Sequence, residues 1–240
     1  MKVFAISDPH LSFTADKPMS IFGAVWENHW DAIESDWSAK VSEDDVVLIA
    51  GDVSWGMTLD EAIEDLKKIG ALPGKKIYIR GNHDYWWSSI SKIRAALPEN
   101  SFCIQNDAIK IGRYVFAGSR GWSIPELGAA ASPEDEKILK REVIRMEMSL
   151  KCAEKIRTDG DMLIAMIHFP PFDSRFSSSV FTELFNRYSV EKVVYGHLHG
   201  SKARTETYLK RGETEYYLTS CDKLGNKLRL IASDTVGDGV

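Results

Sequence analysis

The stretch KKIYIRGNHDYWW, Lys75 to Trp87, runs from an apolar segment straight into Arg80, Gly81, Asn82, His83 and Asp84. Its apolar part, KIYI (76–79), has the length and the β-branched and aromatic character of a buried strand. Gly81 and Asn82 tolerate left-handed backbone angles and mark a sharp turn. A turn does not account for His83. What decides the fold is that other strands end in the same way. KVFAIS (2–7) runs into Asp8 and His10, and DVVLIA (45–50) into Gly51 and Asp52. DMLIAMIH (161–168) closes on His168, and VEKVVYGH (190–197) on His197 with His199 just beyond. Apolar strands that each deliver Asp, Asn or His at the carboxyl end belong to an α/β sheet whose loops converge on a ligand.

Helices are expected between these strands. Phe22, Trp26, Trp30, Ile33 and Trp37 recur at helical spacing and predict a core-facing helix over 22–37. Thr58 and Glu61 form a capping box that opens a helix closed by Gly70. A short helix is expected over 90–97, and a hairpin over 108–119 turning at Gly112-Arg113. Ser132-Pro133 starts a long helix with an apolar stripe of Leu139, Val143, Met146, Leu150 and Ala153. Another helix spans Val180 to Tyr188. The segments 203–220, alternating about Arg211-Gly212, and 227–232 read as antiparallel strands. Together they predict an α/β sandwich of two sheets with helices outside. Without a repeat or a long linker, residues 1–240 are expected to form one domain.

Composition narrows the classes further. With 44% hydrophobic and 27% charged residues, the chain is ordinary for a globular protein. Net charge is -5 and the basic residues are scattered, so no dedicated nucleic-acid surface is expected. A nucleotide substrate stays open, because bound cations can supply local positive charge. No apolar run is long enough for a membrane span, and the first residues read as a strand rather than an export signal. Cys103, Cys152 and Cys221 form no CxxC pair and are expected to be reduced thiols in a cytoplasmic protein.

The strand ends carry the chemistry. Of the 6 histidines only His29 lies outside the set. A single strand-end aspartate is usually a turn residue, and a single histidine usually a satisfied core residue. Recurrence at one structural position sets this group apart. Histidine and carboxylate without cysteine suit Zn, Mn or Fe better than Mg alone. Asp8, His10, Asp52, Asn82, His83, His168, His197 and His199 are too many for one tetrahedral ion. They suit two divalent or trivalent ions about 3.5–4 Å apart that share a carboxylate.

Taken in order, DPH, GD, RGNHD, IH and GHLH resemble the motifs of the calcineurin-like metallophosphoesterases, from Asp8 to His199. The resemblance implies a four-layer α-β-β-α sandwich of two mixed sheets flanked by helices. It implies that Asp8, His10 and His199 hold one ion, that Asn82, His168 and His197 hold the other, and that Asp52 bridges them. It implies hydrolysis of a small phosphomonoester or phosphodiester by metal-activated hydroxide, with His83 as the acid for the leaving group. Within the same fold, a nuclease acting on DNA or RNA ends and a non-catalytic scaffold are the alternatives.

Two departures from the family pattern stand out. Many members carry Asp three residues after the bridging Asp, where this chain has Trp55, so the partner that orients His83 is open. Asp84 is its sequence neighbour. The protein-phosphatase branch follows that Asp with an Arg, where this chain has Gly56, which disfavours a protein phosphatase. Arg80, Arg120 and Arg175 are candidate phosphate contacts. Phe13, Trp55, Trp86, Trp87, Trp122 and Phe172 are expected near the rim, more often packed on their own scaffold than stacked on substrate.

Overall fold

A computed structural model describes residues 1–126, 128, 130–200 and 205–234. In chain order the elements are β1 (Lys2–Ile6), α1 (His29–Lys40), β2 (Val46–Ile49), α2 (Leu59–Gly70), β3 (Lys75–Tyr78), α3 (Ile90–Ala96) and β4 (Ser101–Cys103). Then follow β5 (Ala108–Ile111), β6 (Tyr114–Ser119), α4 (Pro133–Ile156), β7 (Met162–Ile167), α5 (Val180–Arg187) and β8 (Lys192–Tyr195). The last three are β9 (Tyr208–Arg211), β10 (Thr214–Leu218) and β11 (Arg229–Ser233).

Two mixed sheets result. One has the order β11-β1-β2-β3-β4, with β1 to β4 parallel and β11 antiparallel at its edge. The other has the order β5-β6-β7-β8-β10-β9, parallel from β6 to β10 and closed at each edge by an antiparallel hairpin strand. Period-2 alternation sorts the side chains of each strand between two apolar layers. Val3, Ala5, Val46, Leu48 and Ile77 face Phe116, Ile164, Met166 and Val194 across the interior between the sheets. Phe4, Ile6, Val47 and Ile49 point the other way and pack with Trp30, Trp37, Leu66 and Ile93 from α1, α2 and α3. On the far side, Leu163, Ala165 and Val193 pack with Met146, Leu150 and Phe185 from α4 and α5. The expected α-β-β-α sandwich is the observed architecture.

Local signals also hold. Thr58 and Glu61 form a reciprocal capping box, and the Ser132 hydroxyl accepts from the Asp135 amide with Pro133 in the first turn. The helix expected over 22–37 is shorter. Met19–Phe22 and Ala24–Trp26 are separate 3-10 turns broken at Gly23, whose φ is 121°, and α1 begins only after Asn28 in the left-handed region. Phe22 is therefore 64% exposed, while Trp26, Trp30, Ile33 and Trp37 are buried as expected. Successive 3-10 turns and an α-helix space their apolar residues alike over so short a run. Of the expected hairpin over 203–220, Ala203 and Arg204 lie outside the described residues. Trp86, Trp87 and Phe172 pack on their own scaffold as expected, within the cores, and Phe172 also borders a cavity.

The two sheets are joined at the edge where the parallel strands end. Beyond β1, Ser7 donates its amide to the Thr219 carbonyl at 2.8 Å and accepts from the Cys221 amide at 3.0 Å. The Gly196 amide after β8 donates to the His168 carbonyl at 3.0 Å, and the Asp8 amide to the Gly51 carbonyl at 2.9 Å. Loops from both sheets are thereby brought to one place.

Candidate metal centre

At this edge the chain turns sharply, and the polar side chains sit on the turns. Asp8, His10, Asp52 and His197 all have left-handed backbones, with φ of 58°, 44°, 54° and 73°. Such conformations are uncommon for residues other than glycine and cluster at functional sites. Space is as constrained as direction. A Cβ on Gly81 would lie 2.1 Å from Asp52 Oδ1, and one on Gly196 would lie 2.4 Å from Asp8 Oδ2. Only glycine lets these backbones pass so close to the two carboxylates.

Two groups of donors emerge. Asp8, His10 and His199 bring one donor atom each within 4.8 Å of one another, and so do Asp52, His168 and His197. Asp52 reaches both groups: its Oδ2 lies 3.4 Å from His168 Nε2 and 3.7 Å from His10 Nε2. Asn82 completes the second group, with its Oδ1 at 2.8 Å from both His168 Nε2 and His197 Nδ1. His168 Nδ1 donates to the Ala50 carbonyl at 2.9 Å, which leaves Nε2 for the centre. His199 Nδ1 bonds to Asp222 Oδ1 at 2.9 Å, while its Nε2 forms an ion-pair contact with Asp8 Oδ1 at 3.1 Å and has no hydrogen-bond partner among the described residues. The Ser7 and Ser220 hydroxyls, at 2.6 and 2.9 Å, and the His197 amide hold Asp8 Oδ2.

Electrostatics divides the histidines. Burial lowers His10 and His197 to about 4, with the charge of His168 adding to the effect on His197. Burial opposes a charge on His168 as well, yet the Asp52 carboxylate raises it to about 9. His199 is raised to about 10 against burial, by the carboxylates of Asp222, bonded to its Nδ1, and of Asp8, close to its Nε2. Burial would raise Asp8, but the adjacent His199 holds it far below the usual carboxylate range. Without metal, each group thus draws one proton, on His168 and on His199. A buried ring nitrogen without a hydrogen-bond partner among the described residues, carboxylates held ionised and an N/O donor set together fit one transition-metal cation per group.

That charge pattern has a measurable consequence. A histidine raised above its unfolded value of 6.5 stabilises the fold fully below that pH, and the benefit is lost as pH rises through the folded value. The melting temperature of chelator-treated protein should therefore fall between pH 6.5 and about 10. Added Mn or Zn displaces both protons and should flatten the profile. Identical slopes with and without metal would refute the assignment of those protons.

The sequence marks no role for Asp222 and leaves that of Asp84 open. Asp222 orients His199 and also accepts from the Gly200 amide at 2.8 Å. It follows a strand of the second sheet, and no local motif announces it. Asp84 does not orient His83. It is fully buried and accepts from the amides of Gly81, Asp52 and Val53 at 2.7, 2.9 and 2.8 Å and from Trp86 Nε1 at 3.0 Å. Burial, and then the charge of Asp52, pushes it up to about 6. Asp84 clamps the loop after β2 to the loop after β3. Asp84→Ala leaves three buried amides unmet and should cost about 3–5 kcal/mol, read as a lower denaturant midpoint.

His83 is placed differently. Its amide donates to Asp52 Oδ1 at 2.7 Å, and its ring packs 4.7 Å from Trp55, 6.1 Å from Tyr85 and 5.7 Å from His10. Trp55 also stacks on His10, at 4.9 Å and 18°. The indole stands at the sequence position expected for an orienting carboxylate, stacked on His10 and tilted against His83. The candidate arginines do not gather at the donors. Arg80 and Arg120 line a separate small cavity, and Arg175 is exposed.

The sequence profile of the calcineurin-like phosphoesterases matches residues 1–201. The chain belongs to that family. No curated protein matches it in sequence. Among solved structures, it is similar to the protein TT1561 of Thermus thermophilus, at 12% identity and a TM-score of 0.62 over 95% of this chain and 96% of that one. A protein of unknown function from Aquifex aeolicus, AQ665, aligns over 95% of both chains at 13% identity and a TM-score of 0.49. The Thermus likeness concerns the fold alone. Membership of the calcineurin-like family and the two donor groups make the chain a metal-dependent phosphoesterase in general terms. No helix among the described residues is long and apolar enough to cross a membrane.

Proposed function

We propose that the chain hydrolyses a small phosphomonoester or phosphodiester at a dinuclear centre. The observation that carries this reading is Asp52, within reach of two donor groups that each draw one positive charge. Asp8, His10 and His199 would hold one ion, Asn82, His168 and His197 the other, and Asp52 both. When bound, such a pair supplies a nucleophile near neutral pH and offsets charge on the phosphoryl oxygens. The protein's own part is to fix the donors, through Ala50 and Asp222 on the histidines and through Ser7 and Ser220 on Asp8. His83 stands beside Asp52 with a ring free to hold a proton for the departing oxygen.

A cavity of about 520 Å³ opens beside His197 and suits the ester's organic group. Its walls include Ile124, Phe172, Phe176 and Leu198, with the carboxylates of Glu126 and Asp173. Apolar walls with acidic groups favour a phosphoester whose organic group is small and uncharged over an oligonucleotide, whose further phosphates they repel. Buried, unpaired Cys103 and Cys221 support a reducing, cytoplasmic setting.

The test is elemental analysis of purified protein, followed by chelator stripping, reconstitution with Mn, Fe or Zn, and a panel of substrates. Two ions per chain and faster turnover of small esters than of oligonucleotides are expected. Protein that takes up no transition metal and is inert towards aryl phosphates would refute the proposal and support a scaffold. Oligonucleotides cleaved faster than model diesters would favour a nuclease.

A further inference from the structure

Beside the metal centre, along the same strand edge, positive charge is left without an acceptor. Arg80, just beyond β3, makes no ion pair or side-chain hydrogen bond among the described residues, and its Nε is buried and unpartnered. Arg120, just beyond β6, also has a buried, unpartnered Nε, and its side chain is only 15% exposed. Both line a cavity of about 100 Å³ whose other walls include Arg145, Glu142, Gln105 and Asn106. Glu142 Oε1 lies 2.8 Å from Arg145 and 3.5 Å from Arg120. Three guanidinium groups against one carboxylate leave a net charge of about +2 around the cavity.

Guanidinium groups removed from water are ordinarily paired, because an uncompensated charge there is costly. Two such groups facing one space, each with an unmet N–H, are complementary to a tetrahedral oxyanion, whose oxygens match the guanidinium fork. The volume suits one such anion and excludes a nucleoside. Glu142 Oε2 is buried and unpartnered among the described residues, and it can accept a hydrogen bond from the O–H of a hydrogen phosphate. None of the candidate metal ligands lines this space. It is nonetheless tied to them: Arg80 lies two residues before Asn82, and the Arg120 carbonyl accepts from the His168 amide at 3.1 Å.

We propose that this cavity is a second, metal-independent site for a phosphoryl oxyanion, either free phosphate or the terminal phosphate of a larger molecule, held by Arg80, Arg120 and Arg145. The proposal does not depend on the catalytic reading. The experiment is calorimetric titration of chelator-stripped protein at fixed ionic strength, with inorganic phosphate in one arm and glycerol phosphate in the other. Saturable binding of one anion per chain is expected, weakened about tenfold or more by Arg80→Gln. Arg145→Gln, on a residue whose side chain is 40% exposed, should weaken it without threatening the fold. Tighter binding of inorganic phosphate identifies a free-anion site, and tighter binding of the monoester a site for a terminal phosphate group. No saturable binding overturns the proposal. So does binding that both arginine variants retain, and loss in His199→Ala would then locate the anion at the metal centre.

Discussion

Asp52→Ala protein should fail to hold two metal ions and should lose ester hydrolysis by more than about 10³-fold. The size of the effect follows from how many tasks this carboxylate combines. Oδ2 faces His168 Nε2 and His10 Nε2, one in each donor group, so its loss separates the groups and leaves two cations unshielded from each other. Oδ1 accepts from the His83 amide and so fixes the loop that carries both Asn82 and His83. Burial would raise Asp52, but the charge of His168 keeps it low, so the carboxylate is ionised at neutral pH and ready for a cation. Asp52→Asn separates these tasks. It keeps an acceptor for the His83 amide while losing the bridging charge, so the loop should hold and the second ion should not. Elemental analysis with parallel turnover measurements checks both variants. Two ions bound by the alanine protein would remove Asp52 from the centre.

The fold was legible because burial on both faces writes parallel strands as short apolar runs, and each run here ends on a polar side chain at one edge. KVFAIS, DVVLIA and DMLIAMIH could be placed without knowing their neighbours. The order of strands within the sheets could not, since β10 pairs with β8 and β11 with β1 across long separations. Spacing misleads at the entry to α1, because Gly23 and Asn28 interrupt a pattern that it presents as continuous.

At the site, the residue types were legible and their directions were not. Asp84 follows His83 in the chain, yet its carboxylate turns away to meet the Asp52 and Val53 amides, a contact between separate loops of the sheet. Asp222 supports His199 from a loop beyond β10, with no motif to mark it. Arg80 and Arg120 follow strands of different sheets and converge beside the centre only because β3 and β6 end at the same edge. A strand end tells where a side chain starts. Which way it points depends on the sheet opposite.

His83→Ala tests the remaining role. The backbone amide of residue 83 still reaches Asp52 Oδ1 in the variant, so both donor groups keep their geometry and metal content should stay near that of the wild type. What is lost is a ring whose side chain makes no hydrogen bond among the described residues, wedged between Trp55 and Tyr85. If that ring protonates the departing oxygen, turnover should fall by about 10²–10⁴-fold on alkyl esters, whose alkoxide leaves poorly without a proton. On p-nitrophenyl esters the leaving group is stable as the anion, so the same variant should lose far less. An equal loss on both substrates would assign His83 to binding or to the phosphoryl charge rather than to proton transfer. Loss of metal would make it a ligand. With Asp84 committed to the loop amides, the ring is set by packing alone, and Trp55→Ala should reproduce part of the alkyl-ester defect, compared at equal metal content because the indole also stacks on His10.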